Sequence, residues 1–229
     1  MDFGLAFSYV FKDRDWLAKI LIPGVVVLIP VLGLFVVIGW ALEIQRRVMR
    51  ADPEPLPQLR FGKHLADGFF VAVINVVYGM PLWIAYLLII ILGQGSWAMP
   101  TPALGVASSS SPSPLAVVLA LFLMGLGLLY SIFMSYILPA AYGRFALSGR
   151  LGAAFQFGEV WRTVRATPVA FLLALVGMWI GGLMGGLGTV AFLIGVIFTL
   201  PYSQAFVYHL YGQAMREAYQ VPAEPTIAE

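Results

Sequence analysis

Apolar residues in this chain fall into four long blocks separated by short polar stretches. The first runs from about Trp16 to Ile44 and is interrupted by Pro23-Gly24 and by Pro30-Val31-Leu32-Gly33. The second runs from about Gly68 to Leu92 with Pro81 inside it, and the third from about Pro114 to Ala141 with Pro139 near its end. The fourth, from Pro168 to Tyr211, is roughly twice the ~20 residues that one helical crossing of a bilayer needs. As a single helix it would be about 65 Å long, twice the hydrocarbon core. Glycines at 181, 182, 185, 186 and 188 divide this block, which predicts two helices joined by a tight glycine turn at 181–188.

Short amphipathic stretches precede three of the blocks. Phe3, Phe7, Val10 and Phe11 share one helical face, closed by Lys12-Asp13-Arg14-Asp15. Phe61, Leu65 and Phe69 are spaced four apart around Arg60, Lys63 and His64. Leu151 and Phe155, then Val160, Trp161 and Val164, repeat the pattern around Glu159, Arg162 and Arg165. Helices with an aromatic face and a mixed charged face lie in the headgroup plane. The predicted fold is therefore all-α: a polytopic helical membrane protein of three units, each an interfacial helix followed by a membrane hairpin. The units are Met1 to Arg50, Ala51 to Arg150, and Leu151 to the end, with five full spans or six membrane helices. One helical membrane domain is expected over residues 1–219, with a disordered tail at 220–229. The uncharged Ser/Pro/Gly-rich segment from Gly93 to Pro114 reads as a mobile external loop.

Each hairpin returns the chain to its starting side, so all linkers should share one face. The thirteen Lys and Arg agree: each lies in a linker, at a linker edge or in the tail. None lies in the three far-side turns at 30–33, 93–114 and 181–188. By the positive-inside rule the linkers and both termini are cytoplasmic, in a multi-pass protein of the cell membrane. The first hairpin is the short one, because Leu17 to Pro30 makes only about 21 Å of helix against a core of ~30 Å. It is expected to be re-entrant or to sit in a thinned bilayer. A single kinked helix from Trp16 to Ile44, with the N-terminus outside, is the alternative.

Composition sharpens the membrane reading. The chain is 61% hydrophobic and 10% charged, whereas soluble domains carry about 25% charged residues. It has no cysteine, which removes disulfides, thiolate nucleophiles and cysteine metal sites. A net charge of +2, with scattered basic residues, does not make a nucleic-acid surface. Asp2, Asp13 and Asp15 spoil the basic start that a secretory signal needs.

A family resemblance is carried by four stretches. They are Ala6 to Tyr9 followed by Asp13 to Trp16; Ile29 to Gly33 running on to Glu43 and Arg47; Phe157 to Trp161; and Tyr208 to Gln213. Together they resemble the bacterial and archaeal membrane-protein family known as domain of unknown function 4013, over nearly the whole chain to about Arg216. The resemblance implies a membrane fold and carries over no activity and no functional residues.

Candidate chemistry is sparse. The block interiors hold no Asp, Glu, Lys or Arg; only Lys19 and Glu43 lie near the ends of the first. Ion-coupled transport normally needs such a residue inside the membrane. His64 and His209, with no spaced carboxylate, do not make a metal site, and no cofactor motif is present. Both histidines read as amphipathic interfacial residues, His209 among Tyr202, Tyr208, Tyr211 and Tyr219. Ser131 and Ser135 read as interhelical hydrogen-bonding groups, with no base partner. Gly177, Gly181 and Gly185 recur every four residues after Ala170 and Ala174, a face for helix packing within the chain or between copies. The function expected is that of a non-catalytic accessory or organising subunit of a membrane complex. Its partners would be membrane lipids and other membrane proteins or itself, and not nucleic acid. The alternative is a permease or channel for a small neutral or lipid-like solute, with a polar cavity near Asn75, Ser135 and Gln204. An enzyme acting on lipid is the least supported reading, for want of a polar triad.

Overall fold

The structure is a computed structural model of the 229-residue chain, and it describes residues 1–54, 56–92, 114–190 and 192–220. Residues 93–113 of the predicted external loop and 221–229 of the predicted tail lie outside the described residues, while Pro114 opens α5 and Gln220 closes α9. All regular structure within them is helical: α1 (Phe3–Lys12), α2 (Trp16–Val27), α3 (Leu32–Met49), α4 (Phe61–Leu92), α5 (Pro114–Ser148), α6 (Leu151–Ala154), α7 (Phe157–Ala166), α8 (Pro168–Val190) and α9 (Phe192–Gln220). Among the described residues three stretches are long and apolar enough to cross a membrane: Phe61–Ile90, Val117–Ser148 and Pro168–Val190. The five or six spans expected from the sequence exceed that number. Glu43, Arg46 and Arg47 punctuate the 18-residue α3, and α2 has only 12 residues.

The described residues form two compact bodies. The larger comprises Met1–Asn75 and Tyr136–Glu229, the smaller Val76–Ser135. At the centre of the larger body lies α9, packed against α8, α3, α2, α1 and α7. Between Ala205 and Met215 almost every α9 residue is buried.

Close approach of backbones explains this packing. Along α8, Gly177 faces Leu210, Gly181 faces Val207, Gly185 faces Ser203, and Gly188 faces Thr199 and Gly195. The partner's number falls as the glycine's rises, so α8 and α9 run antiparallel. The predicted turn at 181–188 is thus corrected: those residues are helical, and α8 ends at Val190. Glycine weakens a helix in water. In hydrocarbon every backbone group must bond internally, so the helix persists through glycines and uses them to admit a neighbour. A second close crossing joins α3 to α4, where Gly39 lies against the His64 carbonyl and Gly68 against the Phe35 carbonyl. A third sets Gly24 of α2 against the Ile197 carbonyl. Pro201, four residues on, has no N–H to offer that carbonyl.

The amphipathic stretches divide. Asp2 caps α1, its side chain accepting the Leu5 N–H at 2.8 Å. Ala6, Tyr9 and Val10 are buried, and the Phe7 ring sits 4.2 Å from Phe206. The α1 face expected to meet headgroups is therefore largely covered by α9. Val160 and Val164 of α7 are likewise buried, while Phe157 and Trp161 stay exposed. The middle stretch is no separate helix: Phe61, Leu65 and Phe69 open the 32-residue α4. The first block breaks at residues 28–31, where Val31 has φ 63° and α3 begins one residue later.

In the smaller body the distal parts of α4 and α5 lie side by side. Tyr130 donates to the Tyr78 carbonyl at 2.7 Å, and Leu82 stands beside Gly127. Most of their large apolar side chains are exposed, among them Trp83, Leu87, Phe122 and Leu126.

Candidate functional site

The Lys- and Arg-bearing helix ends of the larger body are tied to one another. Arg46 is buried at the end of α3 and donates through Nε to the Ala146 carbonyl at 2.8 Å. Its guanidinium also pairs with Glu43, and with Asp67 of α4 at 3.4 Å. Lys63 reaches the same Glu43 carboxylate at 2.9 Å. Arg47 donates to the Glu54 carbonyl at 2.9 Å, holding the linker after α3. Arg144 of α5 pairs with Glu159 of α7 at 3.6 Å. A half-buried cation is costly unless paired and hydrogen-bonded, so these contacts fix how the helix ends meet.

Beside this network opens a cavity of ≈ 680 Å³. Leu5, Tyr9 and Lys12 of α1 form one wall, and Asp13, Arg14 and Asp15 of the α1–α2 junction with Lys19 of α2 another. Val48, residues 51–54 and Leu56 come from the end of α3 and its linker, and His209, Gln213 and Arg216 from α9. Gln213 is clasped to the N-terminus: the Asp2 N–H donates to its Oε1 at 2.6 Å, and its Nε2 donates to the Asp2 carbonyl at 3.0 Å. That clasp fixes the amide orientation. Nε2 therefore also faces His209 Nδ1, 3.0 Å away, as a donor, which places the imidazole hydrogen on Nε2. The His209 ring stacks on Tyr9 at 4.2 Å, and the Tyr9 hydroxyl donates to the Ala205 carbonyl at 3.1 Å. His209 is buried within the protein, at 4% exposed. His64 is buried too, its Nδ1 accepting the Arg60 N–H at 3.1 Å at the start of α4. Among the described residues no group of three or more His, Asp or Glu is placed to hold a metal ion.

With three apolar helices of spanning length among its described residues, this is an all-α multi-pass membrane protein. A family model described as "Protein of unknown function (DUF4013)" matches residues 22–202. The chain belongs to the DUF4013 family. No curated protein and no solved structure matches it. The DUF4013 match begins inside α2 and ends inside α9. The cavity therefore draws Val48 and the linker from within the matched segment, and Lys12, His209 and Arg216 from outside it.

The residues singled out in the sequence sit apart from this cavity. Gly177, Gly181 and Gly185 face α9. The Asn75 amide donates to the Val71 carbonyl at 2.9 Å and accepts the Tyr142 hydroxyl at 2.7 Å. Ser135 donates to the Ser131 carbonyl one turn back, at 2.8 Å. Gln204 is half-buried on α9. None of these lines the cavity. Sequence reasoning missed Gln213 and Arg216 as site residues and the clustering of Tyr142, Tyr208 and Tyr211, whose ring centroids lie 5.3–6.4 Å apart. Part of the signal was present in the stretch from Tyr208 to Gln213, which was read as a family mark and as interfacial aromatic residues.

Proposed function

We propose that this DUF4013 protein is a non-catalytic organising or accessory subunit, working by helix contacts with another membrane protein. The observation that supports this most is the smaller body. Trp83, Leu87, Phe122 and Leu126 present apolar surface along two paired helices, while in the larger body Glu43 is taken up by Arg46 and Lys63, and Asn75 by Tyr142. Three hairpins with both termini in the cytoplasm remain the proposed topology. In its favour, the Met1 ammonium lies 3.7 Å from Glu217, which brings the two ends of the described chain together. The ion pairs among Glu43, Arg46, Lys63 and Asp67, and between Arg144 and Glu159, likewise join successive linkers. The break at residues 28–31 favours a re-entrant first hairpin.

The test is site-specific photo-crosslinking in native membranes from Leu87 and Phe122. A discrete protein adduct absent from Leu172, exposed on α8, is expected; lipid adducts alone at both positions would refute the organising role. Single cysteines at Ala51 and Ser148 should resist an impermeant reagent in intact cells, and labelling from outside would overturn the topology. Reconstituted alone, the protein should drive no proton- or sodium-coupled uptake, because Glu43 is held by Arg46 and Lys63. Gradient-driven accumulation of any solute would make it a transporter.

A further inference from the structure

The cavity between α1, the end of α3 and α9 plays no part in the organising role above, and its charges point to a ligand. Four of its lining side chains are cationic and four anionic. Lys19 and Asp13 neutralise each other at 2.6 Å. Among the described residues no ion pair engages Lys12, Arg14 or Arg216. On the acidic side Asp15 and Glu54 are in no such pair either, and Asp52 meets Arg47 only at 4.0 Å. The cavity thus keeps open charges of both signs. A polyanion would confront the carboxylates and a polyamine the cations, since like charges forced together disfavour binding. A ligand carrying one charge of each sign satisfies both.

We propose that this cavity binds a zwitterion in which a phosphate and a primary ammonium are joined by a short linker: the phosphoethanolamine group. Phosphate suits the cationic side, because guanidinium and ammonium groups give charge-assisted hydrogen bonds to its oxygens. A primary ammonium suits the acidic side, because carboxylates accept its N–H bonds. A quaternary ammonium has none to give and is held instead by an aromatic cage. Among the described residues the lining forms no such cage: its aromatic rings are Tyr9 and His209, and they are stacked on each other. The volume of ≈ 680 Å³ lies within the ~300–1,000 Å³ of small-molecule sites. Leu5 stands exposed in the lining, giving the ligand an apolar edge. Two sources carry this group, a phospholipid headgroup and a soluble phosphoethanolamine ester.

The test uses the full chain, delipidated in detergent, titrated with short-chain phosphatidylethanolamine, phosphatidylcholine and phosphatidylglycerol and with soluble phosphoethanolamine. Phosphatidylethanolamine should bind about tenfold tighter than either other lipid. Arg216→Ala and the Lys12→Ala, Arg14→Ala pair should each weaken it by roughly three- to tenfold. Asp52→Asn with Glu54→Gln should lower phosphatidylethanolamine to the phosphatidylcholine level while leaving phosphatidylglycerol unchanged or tighter. That crossed response separates a charge-matched site from general lipid adhesion. Equal binding of the three lipids by every variant would overturn the proposal, and so would a wild-type preference for phosphatidylglycerol. Competition by soluble phosphoethanolamine at the concentration of the lipid assigns the soluble source; its failure to compete assigns the lipid. If the cation variants do not fold, the acidic pair, on exposed linker residues, carries the test alone. Crosslinking from α4 and α5 reads the organising role separately, so either proposal can fail without the other.

Discussion

The α8–α9 pair and the α4–α5 pair of the smaller body are built from similarly apolar sequence and end differently. In α8, 33% of the most apolar window is buried within the protein; in α4 and α5 the corresponding shares are 11% and 6%. Hydropathy does not separate them, but side-chain size does. Where α8 meets α9 it offers Gly177, Gly181, Gly185 and Gly188, and the partner's side chains descend onto its backbone. The distal parts of α4 and α5 offer Trp83, Leu87, Phe122 and Leu126, and Gly125 meets nothing within 4 Å. Lipid tails are as apolar as leucine, so burying an apolar side chain against a helix earns little in a membrane. What distinguishes a packed helix is the dispersion gained when backbones come close, and only small residues allow that.

The contrast can be broken by variants. The largest effect is expected at the α3–α4 crossing. Gly39→Leu places a side chain where the His64 carbonyl stands, and a backbone carbonyl cannot swing aside. Overpacking there should cost about 3 kcal/mol, read as a collapse of the folded fraction in detergent-denaturation curves. A wild-type curve would mean that the helices cross elsewhere. Next comes Gly181→Leu, whose nearest obstacle is a Val207 methyl, able to yield in part. The expected loss is about 1–3 kcal/mol, whereas Leu183→Ala, at 74% exposure, should stay within about 0.5 kcal/mol. Equal melting of the two would erase the difference between the pairs.

Two smaller effects sharpen it. Gln45 is fully buried, its Nε2 donating to the Pro139 carbonyl at 3.0 Å, and its Oε1 has no hydrogen-bond partner among the described residues. Gln45→Met gives up one hydrogen bond worth about 1 kcal/mol and removes an unsatisfied acceptor that costs about 1–3 kcal/mol. The denaturation midpoint should therefore hold or rise. A loss above about 2 kcal/mol would show that the larger body depends on that polar contact as well as on close packing. Smallest of all, Gly125→Leu in the smaller body should change stability by less than about 0.5 kcal/mol. A large loss in the protein extracted with its native partners would mean that this surface is already covered by one of them.

Much of the architecture was legible from residue order. Class, helix content, the break near Pro30 and the division of the fourth block follow from runs of apolar residues and from the spacing of Pro and charge. The glycine turn was misread because Gly181 to Gly188 carries two meanings. In water such a run ends a helix, and in hydrocarbon it makes a groove for a neighbour. The α3–α4 crossing was not legible at all. Gly39 and Gly68 stand alone in sequence, and their pairing needs two helices brought together. The cavity was hidden for the same reason, since its walls come from residues near 5–19, 48–56 and 209–216.

By itself the sequence determined that the chain is helical and membrane-embedded, and that its charges collect at helix ends. Those properties depend on local composition: about 20 apolar residues reach across a bilayer whatever their neighbours are, and a charge is expensive anywhere but at the ends. Only the tertiary structure decided which apolar faces meet protein. The aromatic faces of α1 and of the distal α4 are alike in chemistry; Phe7 rests on Phe206, and Trp83 stands exposed. Whether a face is covered depends on the shape of the surface brought to it, and α9 supplies that surface to α1, α2, α3 and α8. Tertiary structure also brought Asp2 to Gln213, across 211 residues of chain, and so built the cavity beside His209.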